Sequence, residues 1–76
     1  MDEIKIVRIK WNDTTHYQGW HKPDELDNMS PLIIESVGWL IRENETAIFL
    51  AMSHGEYRIG DILIIPKKMV LERWEL

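Results

Sequence analysis

The sequence predicts an all-β fold: a small antiparallel barrel of five to six strands with one short helical turn, forming a single domain over residues 1–76. Three observations predict it. Apolar and polar residues alternate in several short runs, as strands with one covered face require. The runs are separated by short turns rich in Asn, Asp, Gly and Pro. The run Ser36 to Ser53 reads as a β-hairpin turning at Glu43-Asn44-Glu45-Thr46. With the turn centred between Asn44 and Glu45, Ile41 faces Ile48, Trp39 faces Leu50 and Val37 faces Met52. That register makes one face wholly large and apolar, which is what a sheet needs to cover a core. The other face pairs Arg42 with Ala47, Leu40 with Phe49 and Gly38 with Ala51.

The remaining elements follow in order. Residues 3–11, EIKIVRIKW, form a first strand with Val7, Ile9 and Trp11 inward. The charged opposite side suits a solvated face or an edge. Asn12 to Thr15 is turn chemistry. His16 to His21 is a short strand or an ordered loop. Pro23 followed by Asp24 and Glu25 favours a brief helical turn, from which Leu26 and Met29 would cap the core. Ser30-Pro31 ends that turn. Leu32–Glu43 and Thr46–Ser53 are the hairpin arms. The loop from Ser53 to Asp61 carries two glycines. Ile62–Ile65 is continuously apolar, so both of its faces should be covered, and Pro66 stops it. Pro66-Lys67-Lys68 suits a 3₁₀ turn. Met69 to Leu76 closes the fold, with Val70, Trp74 and Leu76 on one side. An SH3-like or Sm-like barrel fits this length and spacing.

Composition narrows the function classes. A chain of 76 residues buries a limited core, and association is a common source of extra stability at that size. There is no Cys, which excludes disulfides, thiolate metal sites and a Cys nucleophile. The net charge of -4 argues against a non-specific nucleic-acid binder, whose affinity comes from Lys and Arg on phosphates. A local positive pocket on an acidic protein still admits a small anionic ligand. No apolar run is long enough to span a membrane, so a soluble cytoplasmic protein is expected.

A set of residues along the chain carries a resemblance. Trp11-x-Asp13, Gly19-Trp20, Glu35-Ser36-Val37-Gly38-Trp39-Leu40, Leu50-Ala51-Met52-Ser53 and Ile64-Ile65-Pro66-Lys67 together resemble a group of short phage and prophage proteins of uncharacterised function. The similarity spans nearly the whole chain. It departs at Met52, where some members carry Gln, so no polar role is carried over to that position. The resemblance implies a small accessory protein in a phage context, with no catalytic residues to transfer. Oligomerising phage barrels are suited to capturing nucleotide signals of host defence, an analogy of context and not of residues.

Two segments have the chemistry of a ligand site. Trp11, Asp13, Tyr17 and Trp20, with His16 and His21, could stack a base and bond its edge. The alternative is that the tryptophans pack the barrel end and the rest is a solvated loop. In the second segment, His54-Gly55-Glu56-Tyr57-Arg58, Arg58 could bind a phosphate and Tyr57 could stack. The alternative there is an ordinary glycine-containing loop. Lys67 would add positive charge near a barrel end, or would simply be solvated with Lys68. His16, His21, Asp13 and Asp24 lack a standard metal-ligand spacing, and no metal or other cofactor is expected. No nucleophile elbow or phosphate loop appears; His16 and His54 could act as an acid–base pair only if they converge. Leu40, Phe49 and Ala51 are the expected interface, because one small barrel cannot bury both faces of every strand.

The expectation is a non-enzymatic homo-oligomer that binds and sequesters a small ligand, a nucleotide immune signal in the sharpest form. Two alternatives stand beside it: an adaptor or inhibitor of a host protein, and a hydrolase of nucleotide signals.

Overall fold

In the computed structural model, which describes residues 4–76, five strands form one antiparallel sheet. They are β1 (Ile6–Asp13), β2 (Leu32–Glu43), β3 (Ala47–His54), β4 (Ile59–Pro66) and β5 (Val70–Glu75), in the spatial order β4-β3-β2-β1-β5. Two 3₁₀ turns, Pro23–Asn28 and Lys67–Met69, complete it. The all-β class and the order of the five strands match the sequence pattern, but the loop expected over Ser53–Asp61 is shorter, because Ser53 and His54 continue β3 and Ile59 to Asp61 open β4 in a continuous ladder. His16 to His21 is loop, and residue 3, the expected start of the first strand, lies outside the described residues.

Val7, Ile9 and Trp11 are buried in β1, as their alternation predicts. They pack with Ile48 and Leu50 of β3 and Ile65 of β4; Ile34, Leu40, Leu63 and Val70 complete the core. β1 is no edge, since it lies between β2 and β5. On its other face Arg8 pairs with Trp74, the guanidinium 4.0 Å from the ring centroid. Trp74 therefore turns away from Val70, and a bulge between Lys10 and Trp11 separates the two registers.

The central hairpin does not take the expected register. Asn44 Oδ1 accepts from the Thr46 and Ala47 amides, each at 2.9 Å, and from Thr46 Oγ1 at 3.1 Å. This Asx geometry, with Asn44 N donating to Ala47 O, makes Glu45-Thr46 the loop and moves the turn one residue along the chain. Glu43 then pairs with Ile48 and Arg42 with Phe49. A bulge at Ile41 shifts the ladder again, and Leu40 meets Leu50 while Trp39 meets Ala51. Leu40 joins the core, and Val37 and Trp39 move to the outer face. The expected trio Leu40, Phe49 and Ala51 is thus broken up. Leu40 faces inward, Ala51 is fully buried, and Phe49 remains on the outer face beside Ile41.

Two more packing expectations are corrected. Ile62–Ile65 is not covered on both faces, because β4 is the last strand of the sheet: Ile65 is buried, while Ile62 and Ile64 are exposed. Leu26 does not cap the core; it is exposed in a 3₁₀ turn with no buried residue.

β4 and β5 form no ladder with each other, so the barrel is left open. An ion cluster ties β5 to the end of β2 and to the 3₁₀ turn that follows β4. The Glu43 carboxylate accepts from Arg73 of β5 at 2.9 and 3.0 Å and pairs with Lys67 Nζ at 2.8 Å. These bonds, Arg73 first and Lys67 second, hold the Glu43 carboxyl down at about 2 against an ordinary 4.5, and Glu43 in turn raises Arg73. A depressed carboxylate stabilises the fold fully above its unfolded pKa and loses that contribution as the pH falls through the folded value. The clasp should therefore weaken between pH 4.5 and about 2. Its side chains are about a third exposed, so solvent screening leaves a contribution on the order of 1 kcal/mol. Urea midpoints measured across that window should fall more for the wild type than for Glu43→Gln. Parallel pH curves would exclude the clasp.

Candidate functional site

The candidate residues fall into two groups on different connections. Gly55 N donates to Arg58 O at 2.8 Å, which closes the β3–β4 connection over Glu56-Tyr57. This tight turn projects its side chains outward. Tyr57 is 90% exposed, and Tyr57 and Arg58 flank His54 around a shallow concavity of about 230 Å³. Gly55, Glu56 and Ile59 complete its wall. His54 is held from behind by Trp39, whose ring lies 5.7 Å away at a 38° tilt. Arg58 makes no salt bridge among the described residues, so its guanidinium is available, with Glu56 as the one acidic group in the wall.

The second group gathers where β1 runs out. Asp13 Oδ1 accepts from the Thr14 amide at 2.8 Å, and Thr15 Oγ1 accepts from Leu32 N at 3.0 Å, tying the loop to β2. Asp13 and Tyr17 line a cleft of about 390 Å³ together with Met29, Pro31 and Met69. This cleft is apolar with a carboxylate at its rim, a poor environment for a phosphate and a better one for a neutral hydrogen-bond donor.

Other expected members take different places. Trp11 is 7% exposed and donates Nε1–H to Ser36 Oγ at 3.1 Å, so it belongs to the core and cannot stack on a ligand. Trp20 stands fully exposed and is no part of the Asp13 cleft; neither is His16. His21 has both ring nitrogens engaged, Nδ1 with Glu25 and Nε2 with the Gln18 carbonyl, each at 2.9 Å. Lys67 is committed to Glu43. The structure thus brings together His54, Tyr57 and Arg58, and separately Asp13 and Tyr17. Ile59 and Met69 contribute walls that sequence reading missed, and Trp39 contributes a ring contact to His54. Their signal is tertiary, since each comes from an element distant in sequence or from a strand edge that only the sheet order defines.

No group of three or more His, Asp or Glu able to hold a metal ion occurs among the described residues. No helix among them is long and apolar enough to cross a membrane. The site and fold define a small all-β protein with an open five-stranded sheet and an Arg-bearing loop at the end of β3. Comparisons with protein-family models, curated proteins and solved structures find no match for this chain.

Proposed function

We propose that the protein is a non-enzymatic, self-associating binder that sequesters a small anionic ligand carrying an aromatic ring. A nucleotide signal of host defence is the chemistry that fits, in the phage context that the sequence resemblance implies. One observation carries this reading: Arg58, which makes no salt bridge among the described residues, and an exposed Tyr57 share a concavity with His54. Arg supplies a bidentate donor pair for phosphate, and Tyr a face for a base. His54 packs against Trp39 and lines the same space.

Calorimetry against cyclic di- and trinucleotides and ADP-ribose derivatives tests it. At least one should bind, and Arg58→Ala should weaken that binding about 10- to 100-fold, the worth of a hydrogen bond to a charged group. Ligand recovered intact after denaturation separates sequestration from hydrolysis. Silence across the whole panel would overturn the ligand reading and favour an adaptor that binds a host protein.

A further inference from the structure

We infer that strand β4 is the self-association surface, and that two copies of this chain join edge to edge along β4 about a twofold axis. The inference deepens the self-association in the proposed function and does not depend on the ligand.

The first support is surface area. A compact chain of 9.1 kDa exposes about 4,900 Å². This one exposes 6403 Å². Its radius of gyration is 15.9 Å, against ~11 Å for a compact chain of this length. Much of that excess lies on segment 14–33, which is exposed almost throughout, and the uncovered outer face of β4 adds to it.

The second support is the contrast between the two free edges, β4 and β5. An unpaired strand edge offers a row of N–H and C=O groups, and proteins guard such edges with charge. β5, Val70-Leu71-Glu72-Arg73-Trp74-Glu75, has three charged residues in six and is guarded. Arg73 is also held by Glu43 and Glu75 by Lys5. β4, Ile59-Gly60-Asp61-Ile62-Leu63-Ile64-Ile65-Pro66, has one charged residue in eight. Ile59, Ile62 and Ile64 are 41%, 45% and 54% exposed, and Ile59 and Ile62 line a cleft of about 240 Å³ with Phe49, Ile41 and one cation, Arg42.

The third support is the occupant these edges select. An apolar edge meeting the charged β5 edge would take Glu72 and the Arg73 and Glu75 ion pairs out of water, which is costly. An apolar edge meeting its own copy buries Ile against Ile. A twofold axis makes that pairing antiparallel, and a self-complementary patch closes at two subunits. Centred on Leu63, the pairing sets Ile62 against Ile64 and Asp61 against Ile65, so the two Asp61 carboxylates stay apart. Ile59 lines both the outer cleft and the Arg58 concavity, so the ligand loops would flank the junction.

Sedimentation equilibrium and native mass spectrometry test this on the full chain. The wild type should run at twice 9.1 kDa. Ile64→Lys, which sets a cation near its own copy across the axis, should weaken dimerisation at least tenfold with an unchanged circular dichroism spectrum. Leu71→Lys on β5 should leave the dimer intact. Because the chain has no Cys, Ile64→Cys can be bridged by a short bismaleimide without altering the edge, and Leu71→Cys serves as the control. A covalent dimer from Ile64→Cys alone supports the β4 junction, even should Ile64→Lys fail to fold. A wild-type monomer at the highest attainable concentration overturns both the inference and the self-association behind it. A dimer that withstands Ile64→Lys, one that Leu71→Lys breaks, or a ring of more than two subunits overturns the β4 junction alone.

Discussion

Gly38→Val should cost well over 1 kcal/mol and sharply reduce the yield of folded protein. A Cβ at Gly38 would lie 2.6 Å from Met52 Cε, 2.8 Å from the Ala51 carbonyl oxygen and 3.2 Å from Leu50 Cβ. The Met52 methyl is the end of a flexible chain and can move. The Ala51 carbonyl cannot move freely, because Ala51 is fully buried and paired with Trp39 on one side and Ile62 on the other. Overpacking of this kind costs about 1–3 kcal/mol for modest insertions, and Val adds two further methyls. A domain of this size is stable by only about 4–11 kcal/mol. Gly60→Ala is the contrast, since its Cβ would meet only Ser53 Cβ, at an ordinary 3.7 Å. Urea unfolding of both variants decides the point. A Gly38→Val midpoint equal to that of Gly60→Ala would mean that β2 and β3 do not approach as described.

Leu50→Ala should be the most damaging core truncation, at about 2–5 kcal/mol. Leu50 has no exposed surface and sits on the inner face between Leu40 of β2 and Leu63 of β4. It is fixed in mid-sheet by ladders on both sides, so its neighbours cannot collapse into the space that truncation leaves. The buried hydrophobic set among the described residues is small: Val7, Ile9, Trp11, Ile48, Leu50, Ala51 and Ile65. One cavity is therefore a large fraction of the whole core. Each kcal/mol lost should lower Tm by roughly 4–8 °C in a domain of this size. Thermal unfolding followed by circular dichroism measures it. A loss within the surface range of about 0.5 kcal/mol would place Leu50 outside the core.

Both predictions depend on the hairpin register, where sequence and structure part. Alternation identified β1 and its inward residues, because Val7, Ile9 and Trp11 have no competing arrangement. It could not resolve β2, in which nearly every residue from Leu32 to Ile41 is apolar or small and either parity yields an apolar face. The decision fell to one polar side chain, Asn44, whose carbonyl collects three hydrogen bonds and moves the turn, and to the bulge at Ile41. The exposure of Ile62 and Ile64 was equally hidden. A run of four apolar residues reads as doubly covered until the sheet order places it at an edge.

The ligand residues divide in the same way. Tyr57 and Arg58 were legible because they sit within one short glycine-containing turn, where adjacency in sequence is adjacency in space. Trp11 and Lys67 were chosen for their side-chain chemistry, and their availability depended on long-range partners. The Ser36 hydroxyl and the core cluster hold the tryptophan, and Glu43 holds the lysine.

By itself the sequence determined the all-β class, the number and order of the strands, and the local loop that presents Arg58. These follow from period-two alternation and turn chemistry, which are properties of neighbouring residues. Only the tertiary structure decided the register of the hairpin, which tryptophan is buried, which cation is already paired, and which strand has a free apolar edge. Each of these depends on contacts between residues distant along the chain, where bulges and side-chain hydrogen bonds of about 1 kcal/mol select among near-equivalent apolar pairings.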